Sequence, residues 1–151
     1  MLQAWYHYRR SALSNSVSST HIAPLSHRQI AISTLLGIAL WFLAAIILRA
    51  VGPMGALDGT ARAITFALIF PGTVPFVYLL RWAAQLVGDQ LLMGIAIGTM
   101  AAAFCDGIAL SWLPSLYGEG VAQLAGSGAT ILWGIGVVLL LALIIGRRGA
   151  K

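Results

Sequence analysis

The sequence predicts an all-α fold, a polytopic membrane protein folded as an antiparallel four-helix transmembrane bundle, and three observations lead there. Of its 151 residues 60% are hydrophobic and 9% charged, with a mean hydropathy of +0.91, which is more apolar side chain than a soluble domain of this length can hide. The apolar residues gather in four runs, 30–48, 63–80, 91–113 and 127–145, each close to the ~20 residues that cover ~30 Å of hydrocarbon. The runs are also apolar on every side, as in VVLLLALII, without the alternation that a β-barrel strand requires.

Residues 1–28 are read as a disordered, basic, serine-rich cytoplasmic tail. They hold five serines between Ser11 and Ser19, three arginines and no acid. SALSNSVSST is not the apolar core of a secretory signal. The composition shares features with organellar transit peptides, but a tail, or a start placed too far upstream, is the plainer reading. His7, His21 and His27 are irregularly spaced, so no metal site is expected, and no cofactor. The remaining chain, 29–148, forms the four-helix domain.

The first run ends just before Arg49 and the second begins after Arg62, with Gly52-Pro53, Gly55 and Gly59 between them. Such short connections, marked by glycine and proline, imply that consecutive helices are antiparallel neighbours. In the second run FPGTVP places Pro71 and Pro75 one turn apart. Each removes a backbone donor, freeing the carbonyls of Ala67 and Pro71, so this helix should kink or open near its middle.

The third run, LLMGIAIGTMAAAFCDGIALSWL, carries the one acid of the four runs, Asp106. Stepping back by fours gives Ala102, Gly98 and Gly94, a stripe of small residues that admits a second backbone, so Asp106 should point into the bundle. Helical rise places it roughly 10 Å from the end of its run. An unpaired charge at that depth costs at least ~2.5 kcal/mol, so the carboxyl should find a partner or hold its proton. Arg49 and Arg62 are the cations within reach. Trp41 and Trp133 each bring an indole N–H that needs an acceptor when buried, and Thr65 lies three residues into the second run. Asp106, Arg49, Trp41 and Trp133 are therefore expected to form one polar layer, with Arg62 and Thr65 beside it. The layer reads either as a structural pair that fixes helix order or as a proton, ion or ligand site.

The fourth run opens with Gly126, Ser127 and Gly128, read as a flexible helix start, and continues with Gly134 and Gly136, expected to allow close packing. An intramembrane enzyme is not expected. Position 125 is alanine where a nucleophile elbow needs glycine, and no histidine falls in any run. Cys105 has no base beside it, because adjacent helical residues diverge by about 100°.

Counting Lys and Arg orients the chain. With both termini cytoplasmic the inside holds seven (Arg9, Arg10, Arg28, Arg81, Arg147, Arg148, Lys151) and the outside only Arg49 and Arg62. Tyr78 with Trp82, and Trp112 with Tyr117, then read as interfacial aromatic belts. The cations cluster in tails and at helix ends, and the net charge of +5 suits a bilayer with anionic headgroups better than nucleic acid.

FLAAIILRAVGP closing the first helix, CDGIALSWLPSLYG leaving the third and ILWGIG in the fourth resemble an uncharacterised bacterial family of small four-helix membrane proteins classed as a domain of unknown function. The resemblance covers Arg28 to Arg148 and implies importance for Arg49, Asp106, Trp133 and Gly134; it implies no activity. Two roles are expected of such a chain in the bacterial cytoplasmic (inner) membrane. One is a non-catalytic component that stabilises or modulates a membrane-protein partner, or self-associates as a homo-oligomer through the Gly94/Gly98/Ala102 stripe. The other is a small proton- or cation-coupled transporter using the buried Asp106–Arg49 site. In helix count it resembles small multidrug exporters, although their essential acid lies in the first helix, where this chain has none.

Overall fold

The computed structural model describes residues 24–148. The tail proposed for 1–28 thus lies largely outside the described residues, as does Lys151. Among the described residues the chain forms four long helices, α1 (His27–Val51), α2 (Gly59–Ala83), α3 (Gln90–Trp112) and α4 (Val121–Arg148), with 3-10 turns at Gly52–Met54 and Pro114–Leu116. All four are long and apolar enough to cross a membrane.

The helices outrun the apolar runs because local bonds, not hydropathy, set their ends. α1 starts at His27 through a capping box: the Gln29 N–H donates to Ser26 Oγ at 3.2 Å, and the Ser26 N–H donates to Gln29 Oε1 at 2.9 Å. The boundary drawn at residue 28 therefore cuts into a helix. α4 starts at Val121, six residues before Ser127, and Gln123 ties its first turn down by donating to the Tyr117 carbonyl at 3.0 Å. Gly126, Ser127 and Gly128 lie inside the helix, not at a flexible start. α2 runs unbroken through Pro71 and Pro75, so of the kink or opening expected there, the helix does not open. The Thr73 hydroxyl donates to the Ile69 carbonyl within the same stretch, at 2.6 Å.

The helices pack in a different order from that expected of neighbours in sequence. α1 lies along α3, and their contacts advance together: Gln29 donates to Gln90 at 3.3 Å, Gly37 meets Gly98, and Trp41 meets Asp106. The pair is parallel. α2 lies along α4 in the same sense, with Leu57, in the connection just before α2, against Gly126 and Phe66 stacked on Trp133. α3 and α4 join the two pairs in antiparallel sense, Leu91 lying near Gly146. α2 makes few contacts with α1 or α3. Short connections restrict where the next helix begins, but backbone approach through small residues decides which helices touch.

The α1–α3 contact is the closest. A Cβ added at Gly37 meets the Gly98 carbonyl oxygen at 2.2 Å, and one added at Gly98 meets the Ser33 carbonyl oxygen at 2.8 Å. The stripe read for helix partners is thus taken up by α1 of the same chain, which removes Gly94 and Gly98 as a surface for a second copy. Gly134 and Gly136, by contrast, have nothing within 4 Å of an added Cβ, so neither is a packing glycine.

Two buried clusters hold the ends of the bundle. Val77, Leu80, Ala84, Leu86, Leu91, Ile95 and Ala142 close the end that carries the α2–α3 connection. Ala45, Leu48, Leu57, Ala109 and Tyr117 close the end that carries both 3-10 turns. Between them, bounded by members of both, is a cavity of about 660 Å³ walled by all four helices. It exists because α2 stands off from α1 and α3.

Candidate functional site

Asp106 lies on α3 six residues before the helix ends at Trp112. Its side chain is held by two neutral donors. The Trp41 indole N–H, from α1, reaches Asp106 Oδ1 at 3.0 Å and the Tyr117 hydroxyl oxygen at 2.9 Å. The Tyr117 hydroxyl donates in turn to the same Oδ1. Indole, phenol and carboxylate form a closed three-membered network in which each group is within bonding distance of the other two.

Tyr117 arrives there because the chain reverses just after α3. Leu113 leaves the helix at φ −132, ψ 49, outside the α region that the following proline disfavours, and the 3-10 turn at Pro114–Leu116 folds Tyr117 back over the helix end. The ring is fully buried in the second cluster, and its hydroxyl finds an acceptor eleven residues back. Burial, reinforced by the hydrogen bond to Asp106, raises the Tyr117 phenol well above its ordinary value, so it stays a neutral donor. Tyr117 is not a belt residue. The signal for it was the need of a buried tyrosine hydroxyl for a partner, together with the reversal that Leu113-Pro114 allows.

The expected cations do not meet the acid. Arg49 is exposed and donates to the Ser115 carbonyl, bracing the turn that carries Tyr117. Arg62 is exposed on the first turn of α2, with its backbone N–H on the Asp58 carbonyl. No further hydrogen bond or ion pair reaches Asp106 from the described residues. An arginine at a helix end keeps its hydration there, whereas reaching inward requires desolvation that the two neutral donors avoid.

Trp133 also leaves the expected layer. Because α4 begins at Val121, Trp133 lies twelve residues into the helix, near its middle, and its N–H donates to the Phe66 carbonyl of α2 at 3.0 Å. Its ring stacks on Phe66 with centroids 5.1 Å apart. Thr65 donates to the Ala56 carbonyl at 2.8 Å, fastening the α1–α2 connection onto α2. Of the expected polar layer, Asp106 and Trp41 come together; Arg49, Arg62, Trp133 and Thr65 are bonded elsewhere or exposed.

Asp106 and Trp41 form part of the cavity wall. Oδ1 takes both donors, so the other oxygen is the uncommitted one. Gly134, Thr65 and Ala102 line the same cavity, which gives Gly134 a place at the site in a different capacity from the packing expected of it. Among the described residues no three His, Cys, Asp or Glu side chains gather, and Cys105 is a half-buried free thiol. Chemically, the arrangement can accept a proton or a positive charge at one carboxylate oxygen beside an apolar space. No family model matches the chain, nor does any curated protein or solved structure.

Proposed function

We propose that this chain is an integral protein of the bacterial cytoplasmic membrane with both termini inside, the turns at 52–54 and 114–116 facing out. Four helices of spanning length support this, as do exposed apolar side chains on every helix: Leu35, Ile64, Phe104 and Leu132 are 59–72% exposed, far more than a soluble surface carries. Arg28, Arg81 and Arg147 at one end against Arg49 and Arg62 at the other support the orientation. With Cys105 replaced by alanine, Ser115→Cys is expected to react with an impermeant maleimide on intact cells and Val87→Cys only after lysis. The opposite pattern, or recovery of the chain in the soluble fraction, overturns the reading.

Within the membrane the chain acts as a non-catalytic component that holds or modulates a partner. The observation that carries this is the Asp106–Tyr117–Trp41 network, in which one acid joins α1, α3 and the α3–α4 connection through neutral donors and thereby fixes the shape that the lipid-facing surface presents. A second reading, a small proton- or cation-coupled transporter, is favoured by the uncommitted oxygen of Asp106 at the cavity wall. Reconstitution in liposomes separates them. A structural role predicts no proton-coupled flux and reduced stability for Asp106→Asn, whereas flux that Asp106→Asn abolishes in a folded protein makes the transporter reading the correct one.

A further inference from the structure

The cavity between α2 and the α1–α3 pair has a volume of about 660 Å³, within the range of sites that enclose a drug-sized molecule. Its wall is apolar along most of its length, with Leu40, Leu68, Phe76, Ile95, Ile131 and Val138 drawn from all four helices. Four threonines also line it, but three of them turn their hydroxyls to backbone carbonyls: Thr65 to Ala56, Thr73 to Ile69 and Thr130 to Gly126. The Trp41 N–H is committed to the network. What remains is the hydroxyl of Thr99 and, at one end, a carboxylate with an oxygen to spare and no guanidinium on it, with the indole of Trp41 beside it.

That distribution selects a ligand. A neutral apolar molecule leaves the carboxylate without a counter-charge in a low-dielectric wall, and an anion is repelled by it. A molecule with a single positive charge and a bulky apolar body satisfies both parts. Its charge sits at the free oxygen of Asp106, and its body fills the space between α2 and α1. We propose that the cavity is a binding site for lipophilic monocations, hydrophobic amines or quaternary ions that reach it from the bilayer through the gap beside α2. This rests on the membrane reading above and holds whether the chain modulates a partner or transports.

The test uses the full chain in nanodiscs of zwitterionic lipid and two ions of one shape and opposite charge, tetraphenylphosphonium and tetraphenylborate, with empty discs as background. Saturable binding of the cation and not of the anion is expected. Asp106→Asn keeps an acceptor oxygen for Trp41 and Tyr117 and removes the charge; it should weaken cation binding by roughly 30-fold or more, the scale for a desolvated charge partner. Gly134→Phe should abolish binding by filling the cavity, since an added Cβ there meets nothing within 4 Å while the acid is left intact. Equal binding of both ions, no saturable binding of the cation to folded protein in discs, or wild-type affinity in either variant overturns the proposal. If Asp106→Asn does not fold, the two ions on the unaltered chain and Gly134→Phe decide. Failure of the chain to enter discs overturns the membrane reading and the proposal with it.

Discussion

Gly37→Ala is the most informative single change in the bundle. The added Cβ would lie 2.2 Å from the Gly98 carbonyl oxygen and 2.7 Å from its Cα and carbonyl carbon. All three are backbone atoms, so no rotamer relieves the clash and α1 and α3 must separate by about 1 Å. Overpacking of this kind costs about 3 kcal/mol at the upper end of its range, and the helix-propensity gain of Gly to Ala returns about 1 kcal/mol, for a net loss of about 2 kcal/mol. Gly98→Ala, whose Cβ meets the Ser33 carbonyl oxygen at 2.8 Å, should lose about 1 kcal/mol or less by the same reckoning. Gly134→Ala meets nothing and should be neutral or gain up to about 1 kcal/mol. Equilibrium unfolding in mixed micelles with rising SDS measures all three. Trp41 follows Gly37 by one turn, so parting the helices also stretches its bond to Asp106, and Trp emission should shift most in Gly37→Ala and not at all in Gly134→Ala. If Gly37→Ala is as stable as Gly134→Ala, the direct backbone contact between α1 and α3 is wrong.

Tyr117→Phe removes a donor to the carboxylate and an acceptor for the indole while keeping the buried ring, and should lose about 2 kcal/mol in the same assay; a loss under about 0.5 kcal/mol contradicts the closed network. Because the folded phenol titrates above its ordinary value near 10, the folded state binds the proton more tightly than the unfolded state, so its contribution is fully present below pH ~10 and is lost as pH rises beyond it. Absorbance at 295 nm should therefore show Tyr117 as the last of the four tyrosines to ionise, and only with unfolding; early ionisation of all four refutes its burial. Arg49→Ala and Asp106→Asn should add within about 0.5 kcal/mol in a double-mutant cycle, since Arg49 bonds to Ser115 and not to the acid; a larger coupling restores the ion pair.

The positions of the four helices were legible in the sequence because hydropathy over ~20 residues is a property of the chain itself. So was the direction of Asp106, since a stripe of glycine and alanine on one helix face marks where another backbone comes. The partners of that acid were not. Charge complementarity pointed to Arg49, but the balance between desolvating a guanidinium and using two neutral donors depends on what lies nearby, and Tyr117 comes near only because the chain reverses at Pro114. Trp133 was placed at the wrong level for a related reason: α4 gains six residues from its bonded first turn, which hydropathy does not register.

By itself, then, the sequence determined four long apolar helices, one acid aimed at protein, and a charge asymmetry between the two ends. Only the tertiary structure decided that α1 pairs with α3 and α2 with α4, that the acid is held by a tyrosine and a tryptophan with no arginine on it, and that α2 stands off to leave a cavity. Composition and periodicity are summed along the chain, whereas packing order and hydrogen-bond partners follow from which surfaces approach most closely, and that is settled between segments far apart in sequence.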